Sequence, residues 1–154
     1  MDVMDERDAR VWEKHSAELT RFATTLVGPT RAEDVVADAV LASMAAAGWR
    51  DVADHRAYLF RAVHNQAKML HRSEHRRTNR EQRAADVAGA VATERWVEVR
   101  DAMSRLGTRE RAVLYLAYWL DLPIHEISDT LGLSRRTTLR ALEKARRILE
   151  RNLS

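Results

Sequence analysis

A chain of 154 residues, 45% hydrophobic and 32% charged, is long enough for one medium domain or two small helical ones. It contains no cysteine, which excludes a disulfide framework and any cysteine-ligated zinc site. The acidic N-terminus lacks the basic-then-apolar pattern of a signal peptide, and no apolar run approaches the roughly 18 residues of a membrane span. A soluble, cytoplasmic protein with no membrane insertion is therefore expected.

Only five glycines and two prolines interrupt a sequence rich in Ala, Leu, Arg and Glu, so the expected fold is all-α. Val11, His15, Leu19, Phe22 and Leu26 form the first amphipathic stripe, closed by Gly28 and Pro29. Thr30 and Glu33 have the spacing of a capping box, followed by the apolar face Val35, Val36, Ala39, Val40 and Met44 as far as Gly48. A third helix is predicted over 54–77, with Tyr58, Leu59, Ala62, Val63, Gln66 and Leu70 inward. From Thr78 to about Thr93 large hydrophobics are scarce and the segment reads as a linker. Packing resumes at Trp96, Val99 and Met103, breaks at Leu106 and Gly107, and continues in a helix over 108–120. These signals give two helical domains, 9–77 and 94–153, joined by the flexible linker 78–93.

The C-terminal run carries the sharpest signal. Ile124, Ile127 and Leu131 recur at helical spacing, Gly132 supplies a turn, Leu133 plugs the corner and Ser134 caps a second helix. Along that helix Thr138, Leu142, Ala145 and Leu149 share one face, and Arg136, Arg140, Lys144 and Arg147 the opposite one. Arg135 and Arg136 lie in the first turn, where the positive end of the helix dipole disfavours cations by roughly 0.3–1 kcal/mol each. A DNA phosphate or a guanine edge would compensate, since the second helix of a helix-turn-helix enters the major groove by its N-terminal residues.

Charge is segregated along the chain. Net charge runs −5 over residues 1–54, +6 over 55–83, −3 over 84–133 and +5 over 134–154. Two basic segments imply two nucleic-acid contacts and leave the acidic remainder for a protein partner. His71-Arg72-Ser73-Glu74-His75 satisfies the H-x-x-E-H pattern of inverted zinc peptidases. Such enzymes need a third, distant ligand and a larger scaffold, and the surrounding arginines would repel Zn²⁺. With no phosphate loop or nucleophile elbow either, the chain is not expected to be an enzyme or to hold a cofactor.

The segment Ala32-Glu33-Asp34-Val35-Val36-Ala37-Asp38-Ala39-Val40-Leu41, then Tyr58-Leu59-Phe60-Arg61-Ala62-Val63-His64-Asn65, then the helix-turn-helix, resembles the extracytoplasmic-function (group 4) sigma factors of bacteria. The resemblance implies a first domain, region 2, that binds core RNA polymerase and opens the promoter −10 element, and a second, region 4, that binds the −35 element. It implies polymerase contact through Asp34 and Asp38, and −10 contacts from Trp49, Arg50, Tyr58, Arg61, His64, Asn65, Lys68 and Arg72. Trp49 and Asn65 fall where the family captures an unstacked base; aromatic stacking and cationic backbone contacts are what holding single strands requires. At the −35 duplex the implied contacts are Ser134, Arg135, Arg136, Thr137, Arg140, Lys144 and Arg147. An anti-sigma factor is a further implied partner.

The chain departs from the family at Ala37, Val40, Met44, His64 and Met69 in region 2 and at Asp121 and Arg136 in region 4. These departures leave an alternative: a sigma-like two-domain DNA-binding regulator that does not program polymerase.

Overall fold

The structure, a computed structural model, describes residues 5–75, 98 and 101–153, and among them every regular element is helical. The elements are α1 (Glu6–Val27), α2 (Pro29–Ala45), a 3₁₀ turn (Trp49–Asp51), α3 (His55–His75), α4 (Thr108–Tyr118), α5 (Ile124–Leu131) and α6 (Arg135–Leu153). The expected linker over 78–93 and the apolar positions Trp96 and Val99 lie outside the described residues.

Local chemistry sets the boundaries. Asp5 caps α1 by accepting the Asp8 N–H at 2.8 Å, and Glu6 and Asp8 put negative charge at the positive end of the dipole. Gly28 ends α1 at φ 85°, a conformation unfavourable for residues with a Cβ, and Pro29 then opens α2 as its first residue. The expected capping box does not form. Because Pro29 already starts the helix, Thr30 lies inside its first turn, and no side-chain cap is present. Asp54 caps α3 through the Ala57 N–H at 3.0 Å.

Helices α1, α2 and α3 pack around Leu19, Phe22, Leu26, Val36, Leu59 and Val63, all essentially inaccessible. The buried part of α3 is wider than the predicted stripe and includes Phe60, His64 and Ala67. The reason is a second layer: α1 and α3 also pack against α4, and α3 against α5. The Phe22 ring lies 4.9 Å from Phe60 and 5.3 Å from Tyr115 of α4, so one apolar interior serves both halves of the chain.

The Leu26 carbonyl, left without an intrahelical partner in the last turn of α1, accepts from His71 Nε2 at 3.0 Å and from Arg111 Nη1 at 3.1 Å. One orphan acceptor thus ties α1 to α3 and to α4. The expected helix over 108–120 ends at Tyr118, and the turn that follows is reversed by Asp121 at φ 53°, with Leu122 N–H bonded to Leu116 O at 3.0 Å.

His64 is fully buried, and neither ring nitrogen has a hydrogen-bond partner among the described residues. Desolvation, then the nearby cations Lys68 and Arg109, lower its pKa to about 4. The neutral form therefore belongs to the folded state. Since the folded pKa lies below the ordinary 6.5, this residue's contribution to stability is full above pH 6.5 and is lost as pH falls towards 4. Between pH 7 and pH 5 that amounts to about 2 kcal/mol. Replacing His64 with Leu should flatten this part of the pH dependence, as measured by urea unfolding of both proteins at the two pH values; an unchanged slope would place the titration elsewhere.

Gly132 stands at φ 68°, and a Cβ there would collide with the Arg61 guanidinium. Gly132→Ala should destabilise the fold by roughly 1–2 kcal/mol from the left-handed backbone alone and push the guanidinium aside. A thermal melt followed by circular dichroism should fall by several degrees; an unchanged midpoint would show that the turn relaxes freely.

Candidate nucleic-acid interface

The helix-turn-helix is built by α5 and α6. Gly132 ends α5 in the left-handed conformation, its N–H and that of Leu133 both reaching Ser128 O, and Leu133 is half-buried at the corner. Ser134 caps α6, accepting the Thr137 N–H at 3.1 Å. The angle between the helices is pinned by a buried hydroxyl pair, Ser128 Oγ to Thr138 Oγ1 at 2.8 Å, with Thr138 also bonded to Ser134 O at 3.0 Å.

Thr138, Leu142 and Ala145 are buried, and Leu149 is half-buried. On the other side Arg135, Arg136, Arg140 and Arg147 are exposed, and none has an ion-pair partner among the described residues. Thr137 is half-buried and Ser134 exposed, both at the start of the strip. Lys144 differs. Its Nζ lies 3.0 Å from Glu110 Oε1, a nearly buried carboxylate of α4, so part of its charge is committed to the scaffold. Two features escaped the sequence: Leu139 is exposed within the strip, and Arg146 is tied to Tyr118, with Nε 2.6 Å from the hydroxyl and the guanidinium 5.6 Å from the ring centre.

In the first half, the implied −10 residues separate into two groups. Arg50, Arg61, Asn65 and Arg72 are exposed, while Tyr58 and Lys68 are half-buried. Trp49, expected beside a captured base, and His64, expected as a backbone or duplex contact, are both buried in the core of this structure. Trp49 is only 3% exposed; its ring packs on His55 and edge-on against Tyr58, and its Nε1 donates to Asp8 Oδ1 at 2.8 Å. His55 Nε2 donates to the Trp49 carbonyl at 3.3 Å. No spacing rule would have found Asp8, which lies 41 residues away along the chain. His64 points inward because α4 and α5 cover that side of α3.

Asp34 and Asp38 are exposed one turn apart on α2. With Arg31, Val35, Gln66, Met69, Leu70 and Ser73 they line an open cleft of about 400 Å³ between α2 and α3. Met69 is 60% exposed at its rim, and Leu41 lies exposed on α2. Arg31 is ion-paired with Glu74, and His71 is bonded to Leu26 O, so these two members of the H-x-x-E-H motif hold the helices together. Among the described residues no three side chains are arranged to hold a metal ion.

Two family models match this chain: Sigma-70 region 2 over residues 11–78 and Sigma-70, region 4 over residues 96–149. No curated protein sequence matches. Among solved structures, the sigma factor RpoE in complex with the anti-sigma factor NepR from Bartonella quintana superposes with a TM-score of 0.71 at 17% identity, covering 97% of this chain and 98% of that one. CnrH, in complex with the cytosolic domain of CnrY, superposes with a TM-score of 0.64 at 24% identity, covering 95% of this chain and 87% of that one. At these identities the likeness is one of fold. The two sigma-70 regions in succession, ending in a capped helix-turn-helix with an exposed basic face, mean that this chain belongs to the sigma-70 family and serves as a sigma factor in promoter-directed transcription initiation, without enzymatic activity of its own.

Proposed function

We propose that this is a group 4, extracytoplasmic-function sigma factor working in the cytoplasm, in which α6 reads the −35 element and α2 and α3 serve polymerase and the −10 element. The observation that carries the reading is the cluster Arg135, Arg136 and Arg140, exposed and unpaired among the described residues, with Arg135 and Arg136 in the first turn of α6 where the dipole opposes them. Their cost is recovered by an anionic ligand, and a duplex fits the helix-turn-helix. Ser134, Thr137 and Arg147 extend that contact, with Lys144 contributing what Glu110 leaves free.

Asp34, Asp38 and the cleft beside them form the polymerase surface, acidic and apolar rather than basic. For the −10 element the exposed set Arg50, Arg61, Asn65 and Arg72 supplies backbone and base-edge contacts, with Tyr58 and Lys68 beside them. An anti-sigma factor is the proposed antagonist, on the support of the RpoE neighbour, which is bound to one. Among the described residues no helix is long and apolar enough to cross a membrane.

Replacing Arg135, Arg136 and Arg140 together with Ala should weaken −35 duplex binding by about 1–3 kcal/mol for each base-reading arginine and flatten the salt dependence for each phosphate no longer neutralised. Fluorescence anisotropy over a salt series measures both. Unchanged affinity and slope would leave the strip as a solvated surface.

Reversing Asp34 and Asp38 to Lys should abolish assembly with core polymerase while leaving −35 binding intact, because the two residues lie far along the chain from α6 and are exposed. Gel filtration with core enzyme reads the outcome. Normal assembly of the double variant would move the polymerase contact elsewhere.

A further inference from the structure

The turn between α2 and α3 carries Arg50 but has little backbone of its own to anchor it. Its backbone hydrogen bonds, Ala46 N–H to Ser43 O, Trp49 N–H to Ala46 O, Asp51 N–H to Gly48 O and Val52 N–H to Trp49 O, all run back along the same segment at 3.1–3.2 Å. Among the described residues no backbone–backbone bond ties this turn to α1 or α3. Side chains must therefore set its orientation.

One side chain is central. The buried Trp49 ring lies 4.3 Å from the His55 ring and meets Tyr58 edge-on at 5.5 Å, while its Nε1 donates to Asp8 Oδ1 at 2.8 Å. Val52 adds an apolar contact with the core at the far end of the turn. Apolar packing is non-directional, whereas a hydrogen bond fixes an angle. Asp8 is well placed to accept it, being the third residue of α1, where the helix dipole favours a carboxylate. A bond to a charged acceptor is also stronger than one between neutral groups.

Arg50 follows Trp49 in the chain and Tyr58 rests on its ring, so one indole supports two residues assigned to the −10 element. Arg50 itself is held loosely, its Nη2 4.0 Å from Asp5 Oδ2 and its side chain 84% exposed. So exposed a pair contributes little, and a DNA phosphate can replace the carboxylate without disturbing the turn.

We propose that Asp8 is a positioning residue for −10 recognition: by holding the Trp49 indole it sets the angle at which the 46–52 turn presents Arg50 and fixes the surface on which Tyr58 rests. The inference deepens the proposed function and rests on its assignment of Arg50 and Tyr58 to the −10 element. The start of α1 thereby belongs to the −10 site without touching DNA.

Three substitutions isolate the hydrogen bond. Asp8→Ala removes the acceptor, Asp8→Asn keeps an oxygen in its place, and Trp49→Phe keeps an aromatic ring without the N–H. Asp8 is half-buried at a helix start, so its variants should fold, as a circular dichroism melt would verify. In the free protein the Trp49 indole N–H resonance, identified by its loss in Trp49→Phe, should move upfield in Asp8→Ala and stay near its wild-type position in Asp8→Asn. The functional probe is the non-template −10 strand of a promoter selected with wild-type holoenzyme, bound as a labelled oligonucleotide. Holoenzyme affinity for it should fall roughly fivefold in Asp8→Ala, as expected for one hydrogen bond of ordinary net strength, and recover in Asp8→Asn. Affinity for the −35 duplex and assembly with core polymerase should not change. Trp49→Phe should lose about as much, and the Asp8→Ala/Trp49→Phe double variant no more than either alone, because both remove the same bond.

An indole resonance unmoved by Asp8→Ala would overturn the contact. A shifted resonance with unchanged oligonucleotide affinity, while Arg50→Ala and Tyr58→Ala still weaken it, would overturn the positioning role, as would additive losses in the double variant. Failure of the −10 assignment reads differently: Arg50→Ala and Tyr58→Ala would then both leave oligonucleotide affinity intact, and the inference would fall with it.

Discussion

The contact on which the rest of the structure depends is that of Phe22 with both Phe60 and Tyr115. A short amphipathic helix gains little by itself and is stabilised by what covers its apolar face. Here α1 has apolar surface on two sides, one closed by α2 and α3, the other by α4. Around Phe22 the carbonyl of Leu26 adds the polar counterpart, a single acceptor shared by His71 and Arg111. The orientation of α4 follows from these contacts, and with it that of α5 and α6, whose capped turn presents the basic helix to solvent.

The same packing explains why acidic and basic surfaces are separated within one half. The face of α2 that carries Asp34 and Asp38 turns away from region 4, while the cationic stripe of α3 runs beside it. Under the proposed assignments, region 2 offers an acidic polymerase surface on α2 and a basic DNA surface on α3. Its two partners are then distinguished by which side of α3 they meet.

The all-helical fold and most helix positions were legible in the sequence, because apolar residues at 3.6-residue spacing and the punctuation Gly28, Gly107 and Gly132 are local signals. So were the turn, cap and exposed face of α6. The burial of Phe60 and His64 was not, since periodicity identifies an apolar face but not a second covering layer. Trp49 was read through its likeness to a family loop, and the Asp8 carboxylate that seats it is 41 residues distant. Arg111 reaches Leu26 across 85 residues. Contacts of that range arise from tertiary packing and leave no mark on local spacing. The Thr30–Glu33 capping box failed for a local reason: Pro29 starts the helix first.

The division of labour along α6 has an evolutionary consequence. Arg135, Arg136, Arg140 and Arg147 contribute no intramolecular ion pair among the described residues, whereas Thr138, Leu142 and Ala145 carry the packing. Substitution on the first set is close to free of any stability penalty, as surface changes away from packing and capping usually are. If these arginines read the −35 element as proposed, duplicated copies of such a chain can diverge in the sequences they recognise while the scaffold stays under constraint. Lys144 is the exception, since exchanging it strands Glu110 in a nearly buried position, and drift at that site is coupled to the integrity of the domain.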